Sequence, residues 1–244
     1  MGQDYIAGMT WGWTGVRGTW TGPAADRSMD LMVERLATTS TALTFAAYQD
    51  TAQSTEIHFS RSPTVTDDEV RAAIARAKSL GLAVCLKPVV NCTDGTWRAH
   101  INVFDPDVPC EPTWAQWFAS YTEFIVHYAR IAEESGAEML CIGCEMVQTD
   151  RREEEAGCPS RAGSEHLPND WTLPGAADQD AQNAWYEAAF AATSRRPWVG
   201  GFMLWDWPAG LADEADAASD RDYCMFGKRA EHTVREHFTA RTSS

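Results

Sequence analysis

The feature that most constrains this chain is an alternation. Through the first 145 residues, short apolar runs of strand character take turns with amphipathic, capped helical segments. Tyr5 to Thr10 reads as a strand with Trp11-Gly12-Trp13 as its loop, and Ser28 to Ala37 as the next helix. Thr41 to Ala47 is a second strand. Thr66-Asp67-Asp68-Glu69 is a capping box, in which the Thr and Glu side chains satisfy each other's orphan amides. It opens a helix that runs to Leu80 and stops at Gly81. Leu82 to Leu86 is a third strand, ending at Lys87-Pro88. A second capping box, Thr113-Trp114-Ala115-Gln116, opens a helix that ends near Ser135-Gly136. Such alternation builds parallel βαβ units.

The fourth strand, Glu138-Met139-Leu140-Cys141-Ile142-Gly143-Cys144-Glu145, is an apolar run that ends abruptly in a carboxylate. Short continuous apolar runs are the mark of buried parallel strands, and the carboxyl ends of such strands are where α/β folds place their chemistry. Beyond it come a helix from about Asp178 to Ala192, a strand from Val199 to Trp205, and a closing helix from about Lys228 to Phe238. No linker, repeat or low-complexity stretch divides the chain, so residues 1–244 read as a single α/β domain. A (β/α)8 barrel takes about 250 residues. The 244 here allow one by length, but only five strands are legible, and long loops at 89–112 and 156–177 absorb the remainder.

Net charge is −15, from 35 acidic and 20 basic residues. That repels nucleic acid and anionic lipid and excludes both as expected partners. No run approaches transmembrane length. The start, Met1-Gly2-Gln3-Asp4-Tyr5, lacks the basic and apolar regions of a secretory signal, and Ile6 breaks the myristoylation pattern. Seven irregularly spaced Cys then imply reduced thiols and a cytoplasmic location.

Glu145 at its strand end has two readings: an ion-pair partner of Arg151 or Arg152, or an acid–base group. Its company favours chemistry. Trp11 and Trp13 follow the first strand and Gln49-Asp50 the second. Lys87, Asn91, Trp97, Arg98 and His100 follow the third, and Trp205-Asp206-Trp207 the last. A parallel α/β fold brings these to one face. Trp offers stacking surface, and Asn, Lys, Arg and His offer hydrogen bonds to hydroxyls. Together they describe a sugar cleft.

These residues also carry a resemblance. Met9-Thr10-Trp11-Gly12-Trp13, Lys87-Pro88, Gly95-Thr96-Trp97-Arg98-Ala99-His100-Ile101-Asn102, Ile142-Gly143-Cys144-Glu145 and Gly201-Phe202-Met203-Leu204-Trp205-Asp206-Trp207 resemble glycoside hydrolase family 113. That family consists of retaining (β/α)8 enzymes with β-1,4-mannanase activity; some relatives carry a xylanase label. The resemblance implies that Glu145 is the general acid/base and that Glu155, which opens Glu155-Ala156-Gly157-Cys158-Pro159-Ser160-Arg161, is the nucleophile. Trp11, Trp13, Lys87, Asn91, Trp97, Arg98, His100, Trp205 and Asp206 would line the site.

The chain departs from the family twice. Cys144 stands where many members of the wider clan have Asn, so a hydrogen bond to the sugar 2-hydroxyl must come from elsewhere, with Asn91 and His100 as the candidates. Only nine residues separate Glu145 from Glu155. A single parallel crossover needs a dozen or more, so this interval marks an internal deletion of barrel units with its join inside Arg152-Glu153-Glu154-Glu155. The expected fold is an incomplete TIM-barrel-like sheet of about five parallel strands, with open edges prone to self-association. The expected function is retaining hydrolysis of β-1,4-mannan or mannooligosaccharides, reduced by the missing units. The alternatives are a β-1,4-xylanase-like hydrolase and a non-catalytic carbohydrate-binding relic.

The other candidate motifs point elsewhere than to chemistry. Residues three apart on a strand face opposite ways, so Cys141 and Cys144 are expected to be buried thiols rather than a zinc or redox pair. Cys110 and Cys158 fall in loops without a sequence partner. His58, His100, His127, His166, His232 and His237 have no ligand spacing. His127 is expected to be packed mid-helix, and His232 and His237 to be solvated. Asp213-Glu214-Ala215-Asp216 lacks the pattern of a calcium loop. Neither a metal nor a cofactor is expected.

Overall fold

The computed structural model describes residues 5–103, 111–144, 158–164, 174–193 and 199–242. Five parallel strands form one sheet: β1 (Ile6–Trp11), β2 (Ser40–Gln49), β3 (Ala83–Cys92), β4 (Met139–Leu140) and β5 (Gly201–Trp207). Five helices accompany them: α1 (Pro23–Leu36), α2 (Asp67–Ser79), α3 (Glu111–Ser135), α4 (Gln179–Thr193) and α5 (Arg229–Thr242). The sheet order is β4-β3-β2-β1-β5. The last strand pairs with the first, as barrel closure demands, but among the described residues no strand links β4 to β5. The fold is therefore an α/β sheet of the TIM-barrel class, left open between its fourth and final strands. No described helix is long and apolar enough to cross a membrane.

Local chemistry explains the elements. The α2 capping box is present in both directions, with the Thr66 side chain accepting from the Glu69 amide and Glu69 from the Thr66 amide. Helix α1 begins at Pro23, five residues before the expected Ser28, because Pro is preorganised for the first helical turn. Helix α3 begins at Glu111, so Thr113 lies inside the helix rather than at its cap. Strand β3 runs past Lys87-Pro88 to Cys92. Proline survives there because the Leu86 carbonyl accepts from the Cys141 amide, which puts Pro88 on the same β4 side, beyond the last β4 pairing at Leu86↔Leu140. The ladder has no partner for the missing N–H at that point.

The strand expected to be buried is the exposed one. Only Met139 and Leu140 pair with β3. Met139 is 38% and Ile142 68% exposed, and Cys141 and Cys144 are half-buried rather than buried. An edge strand with one neighbour cannot bury a run that is apolar on both faces.

The main core lies between sheet and helices. Trp11, Phe45, Trp117, Tyr128, Trp207 and Phe238 are fully buried there. Ser28 of α1 knits this layer: its hydroxyl accepts from Trp11 Nε1 (3.2 Å) and donates to the Pro208 carbonyl (2.6 Å), and its own carbonyl accepts from Trp207 Nε1 (3.1 Å). Strands β1 and β5 approach closely at Gly8, where a Cβ would lie 2.7 Å from the Phe202 carbonyl oxygen. His127 hydrogen-bonds Asp67 at 2.9 Å. His232 is exposed, but His237 is not solvated as expected: it stacks on Phe190 at 3.8 Å and bonds the Tyr5 hydroxyl at 2.8 Å.

Candidate active site

Strand register decides which of the sequence candidates meet. Paired residues of a parallel sheet share a face, and Thr44↔Lys87 and Tyr48↔Asn91 are partners in β2 and β3. On that face Lys87, 9% exposed, holds its Nζ 5.8 Å over the Trp205 ring. The Trp205 ring lies 5.2 Å from that of Trp13. Above Trp13, at 4.7 Å, is the Arg98 guanidinium, whose Nη1 donates to Asn91 Oδ1 at 3.0 Å. Asn91 in turn hydrogen-bonds the Tyr48 hydroxyl. Tyr48, Asn91, Arg98, Trp13, Trp205 and Lys87 thus form one continuous wall across the carboxyl ends of β2, β3, β1 and β5.

The loop after β1 fixes Trp13 in this wall. Gly12 has φ +90°, and a Cβ there would lie 2.6 Å from Cζ2 of Trp20. The Gly12 carbonyl accepts from Trp20 Nε1 (3.1 Å), and its amide donates to the Trp207 carbonyl (3.1 Å). Glycine allows both the left-handed turn and the indole contact. Arg98, 7% exposed, is a cation held over an aromatic face away from water, an arrangement worth ~2 kcal/mol.

Trp97 and His100 lie on the same turn as Arg98 but point outward. Trp97 is 52% exposed, and its ring meets His100 edge-on at 5.5 Å. Asp206 belongs elsewhere again. It is 8% exposed and borders a pocket of about 240 Å³ with Thr14, Asp220, Asp222 and Cys224. Burial, with Asp222 and Asp220 adding and Lys228 opposing, pushes its carboxyl up to about 7.

Trp11 is the correction. It is fully buried against α1 with its indole N–H on Ser28, so it is core and not cleft. A bulge between Met9 and Trp11 lets β5 pair Trp207 with Trp11, while Trp205 turns to the cleft. Gln49 likewise faces inward, accepting from Trp117 Nε1 at 3.0 Å. Tyr48 takes the cleft position that the sequence analysis gave to Gln49-Asp50. The signal for it was present as alternation along β2 opposite Asn91.

Glu145 and Glu155 lie outside the described residues. The described residues nearest to them are Cys144 and Cys158. Cys158 is fully buried, and its carbonyl accepts from Gln182 Nε2 at 2.9 Å. Two residues on, Ser160 accepts from Lys228 Nζ at 2.8 Å. Tyr186, near Cys158, donates its hydroxyl to the Trp205 carbonyl at 3.3 Å. Cys158 to Ser160 is therefore anchored beside the carboxyl end of β5. Among the described residues, no group of three or more His, Cys, Asp or Glu is placed to share a metal ion. Flat aromatic faces suit the C–H faces of pyranose rings, and the flanking amide, guanidinium and ammonium groups suit their hydroxyls.

Comparison with known proteins agrees. The sequence profile of Glycoside Hydrolase Family 113 matches residues 9–156 and 154–228. The two stretches overlap only at residues 154–156. A solved structure of a GH113 β-1,4-mannanase superposes with a TM-score of 0.93 at 40% identity, over 98% of this chain and 100% of that one. A complex structure of a GH113 β-1,4-mannanase gives 0.92 at 39% over the same shares. GH113 β-mannanase AaManA from Alicyclobacillus acidocaldarius, in complex with ManMIm, gives 0.87 at 33%, over 97% and 98%. No protein of curated function matches the chain.

Proposed function

Because the chain belongs to glycoside hydrolase family 113, we propose that this glycoside hydrolase cleaves β-1,4-linked mannan or mannooligosaccharides with retention of configuration. The observation that carries the reading is the match to two β-1,4-mannanase structures at 39% and 40% identity across 98% of the chain. The wall of Trp13, Trp205, Arg98 and Asn91 supplies the surface such a substrate needs.

The proposed chemistry is double displacement. Glu155 attacks the anomeric carbon while Glu145 protonates the leaving oxygen. Glu145 then takes a proton from water as the water releases the sugar. Retention requires the two carboxyls about 5–5.5 Å apart, and a misplacement of about 1 Å can cost ~100-fold in rate. The nine-residue interval and the open sheet favour a second reading, in which the chain binds the same sugars with little turnover. We also propose that the open edge at β4 self-associates.

Mannohexaose and xylohexaose, tested in parallel for reducing-sugar release and by calorimetry, decide among these readings. Release from mannohexaose that is abolished by Glu145→Gln and by Glu155→Gln establishes the hydrolase mechanism. Binding without release selects the second reading. Release from xylohexaose alone overturns the mannan assignment.

A further inference from the structure

We propose that Cys141 and Cys144 form an oxidisable dithiol, a thiol–disulfide exchange site for small-molecule disulfides on the segment that leads into Glu145. Strand β4 stops at Leu140, so the alternation of a strand does not hold the two side chains on opposite faces. The chain turns instead. Cys141 Sγ donates to the Gly143 carbonyl oxygen at 3.0 Å. That oxygen belongs to the peptide joining Gly143 to Cys144 and lies ~2.8 Å from the Cys144 Cα in trans geometry. Cys141 Sγ therefore stands within about 6 Å of the Cys144 Cα. A disulfide needs its Cβ atoms about 3.8 Å apart and its sulfurs about 2 Å apart, which side-chain rotation and a small backbone adjustment supply. Tyr121 pins the turn by donating its hydroxyl to the Ile142 carbonyl at 2.7 Å. The same hydroxyl lies near both sulfurs, which add to the effect of burial in raising its pKa.

What sets this pair apart is the turn that brings its two thiols together, since Cys85 and Cys224 are also half-buried. Cys141 and Cys144 are half-buried beside Ile142, which is 68% exposed. Cys158 is fully buried. Burial above all raises Cys85 and Cys92 to about 11 and Cys224 to about 12, which keeps them protonated and poor nucleophiles. In the exchange, one thiolate of the pair attacks a sulfur of the incoming disulfide and expels one small thiol. The second thiolate attacks the resulting mixed disulfide and expels the other. The protein loses two hydrogens, and the reagent is reduced to two thiols.

Tryptic mapping tests this directly, because the peptide 131–151 contains Cys141 and Cys144 and no other cysteine. Native protein is exposed to oxidised glutathione, quenched with N-ethylmaleimide and digested. The expected product is that peptide, unalkylated and about 2 Da lighter than its dithiol form. It should return to the doubly alkylated form after dithiothreitol. Cys85→Ser should behave like the parent, and Cys144→Ser should accumulate a glutathione adduct on Cys141. A doubly alkylated peptide after oxidation, a cross-link to any other peptide, or an unmodified Cys141 in Cys144→Ser would each overturn the proposal. None of these readouts depends on hydrolytic activity.

Discussion

Asp206 and Trp205 are neighbours in sequence with opposite tasks. Trp205 joins the aromatic wall, whereas the Asp206 carboxyl is buried beside Asp220 and Asp222 with Lys228 as the compensating charge. Burial favours its neutral form, so its pKa is raised from 3.8 to about 7. The sign follows from linkage. A carboxyl that binds its proton more tightly in the folded state contributes stability in full below its unfolded value of 3.8, and loses that contribution as pH rises through about 7. Asp206→Asn removes the titration. Thermal melts from pH 4 to pH 8 should therefore show the parent losing stability relative to Asp206→Asn as pH rises, with the difference levelling off above about 7. Parallel curves across the whole range would mean that Asp206 is ionised in the folded protein at all of these pH values.

At the scale of elements, the start of α2 carries the most local information. Glu69 is 6% exposed, and its carboxylate accepts four hydrogen bonds. Its Oε1 accepts from the Gly18 amide (2.7 Å) and the Trp20 amide (3.2 Å), and its Oε2 from the Thr66 amide (2.8 Å) and hydroxyl (3.0 Å). One carboxylate thus caps α2 and pins the loop whose Trp20 supports Gly12. Burial opposes its charge, but these bonds prevail and lower its pKa. Glu69→Gln turns an NH2 group toward N–H or O–H donors on one side. The expected cost is about 2 kcal/mol, or ~4–8 °C in melting temperature for a chain of this size. That cost should be full at neutral pH and shrink as pH falls below the ordinary carboxylate range, where the parent's Glu69 is itself protonated. This capping box was legible in sequence because its partners lie three residues apart, and β2 and the start of β3 were legible for a similar reason. What sequence did not reveal depended on register. Trp11 and Trp13 look equivalent in Trp11-Gly12-Trp13, yet the former is core and the latter cleft. Gln49 drew attention, yet Tyr48 meets Asn91. The final four residues of Glu138 to Cys144 read as strand, yet pairing ends at Leu140, because a strand's extent depends on neighbours that a local pattern does not contain.

For the whole molecule, the decisive property is that the sheet is open among the described residues. Met139 in β4 and Ile142 just after it are 38% and 68% exposed, and parallel edges of this kind invite pairing with another chain. The net charge of −15 opposes that association through long-range repulsion. The two effects differ in salt dependence. Repulsion is screened as the Debye length shrinks to ~3 Å at 1 M salt, whereas apolar contact and strand pairing are not. Self-association should therefore increase with ionic strength, the reverse of what complementary charges would produce. Light scattering should give the 27.0 kDa monomer at low salt and a rising average mass at about 1 M sodium chloride, where the Debye length is ~3 Å. Ile142→Lys places a charge on the exposed edge and should restore the monomer at high salt without changing the far-UV spectrum. A parent that stays monomeric under both conditions would show that the β4 edge is already covered within the chain.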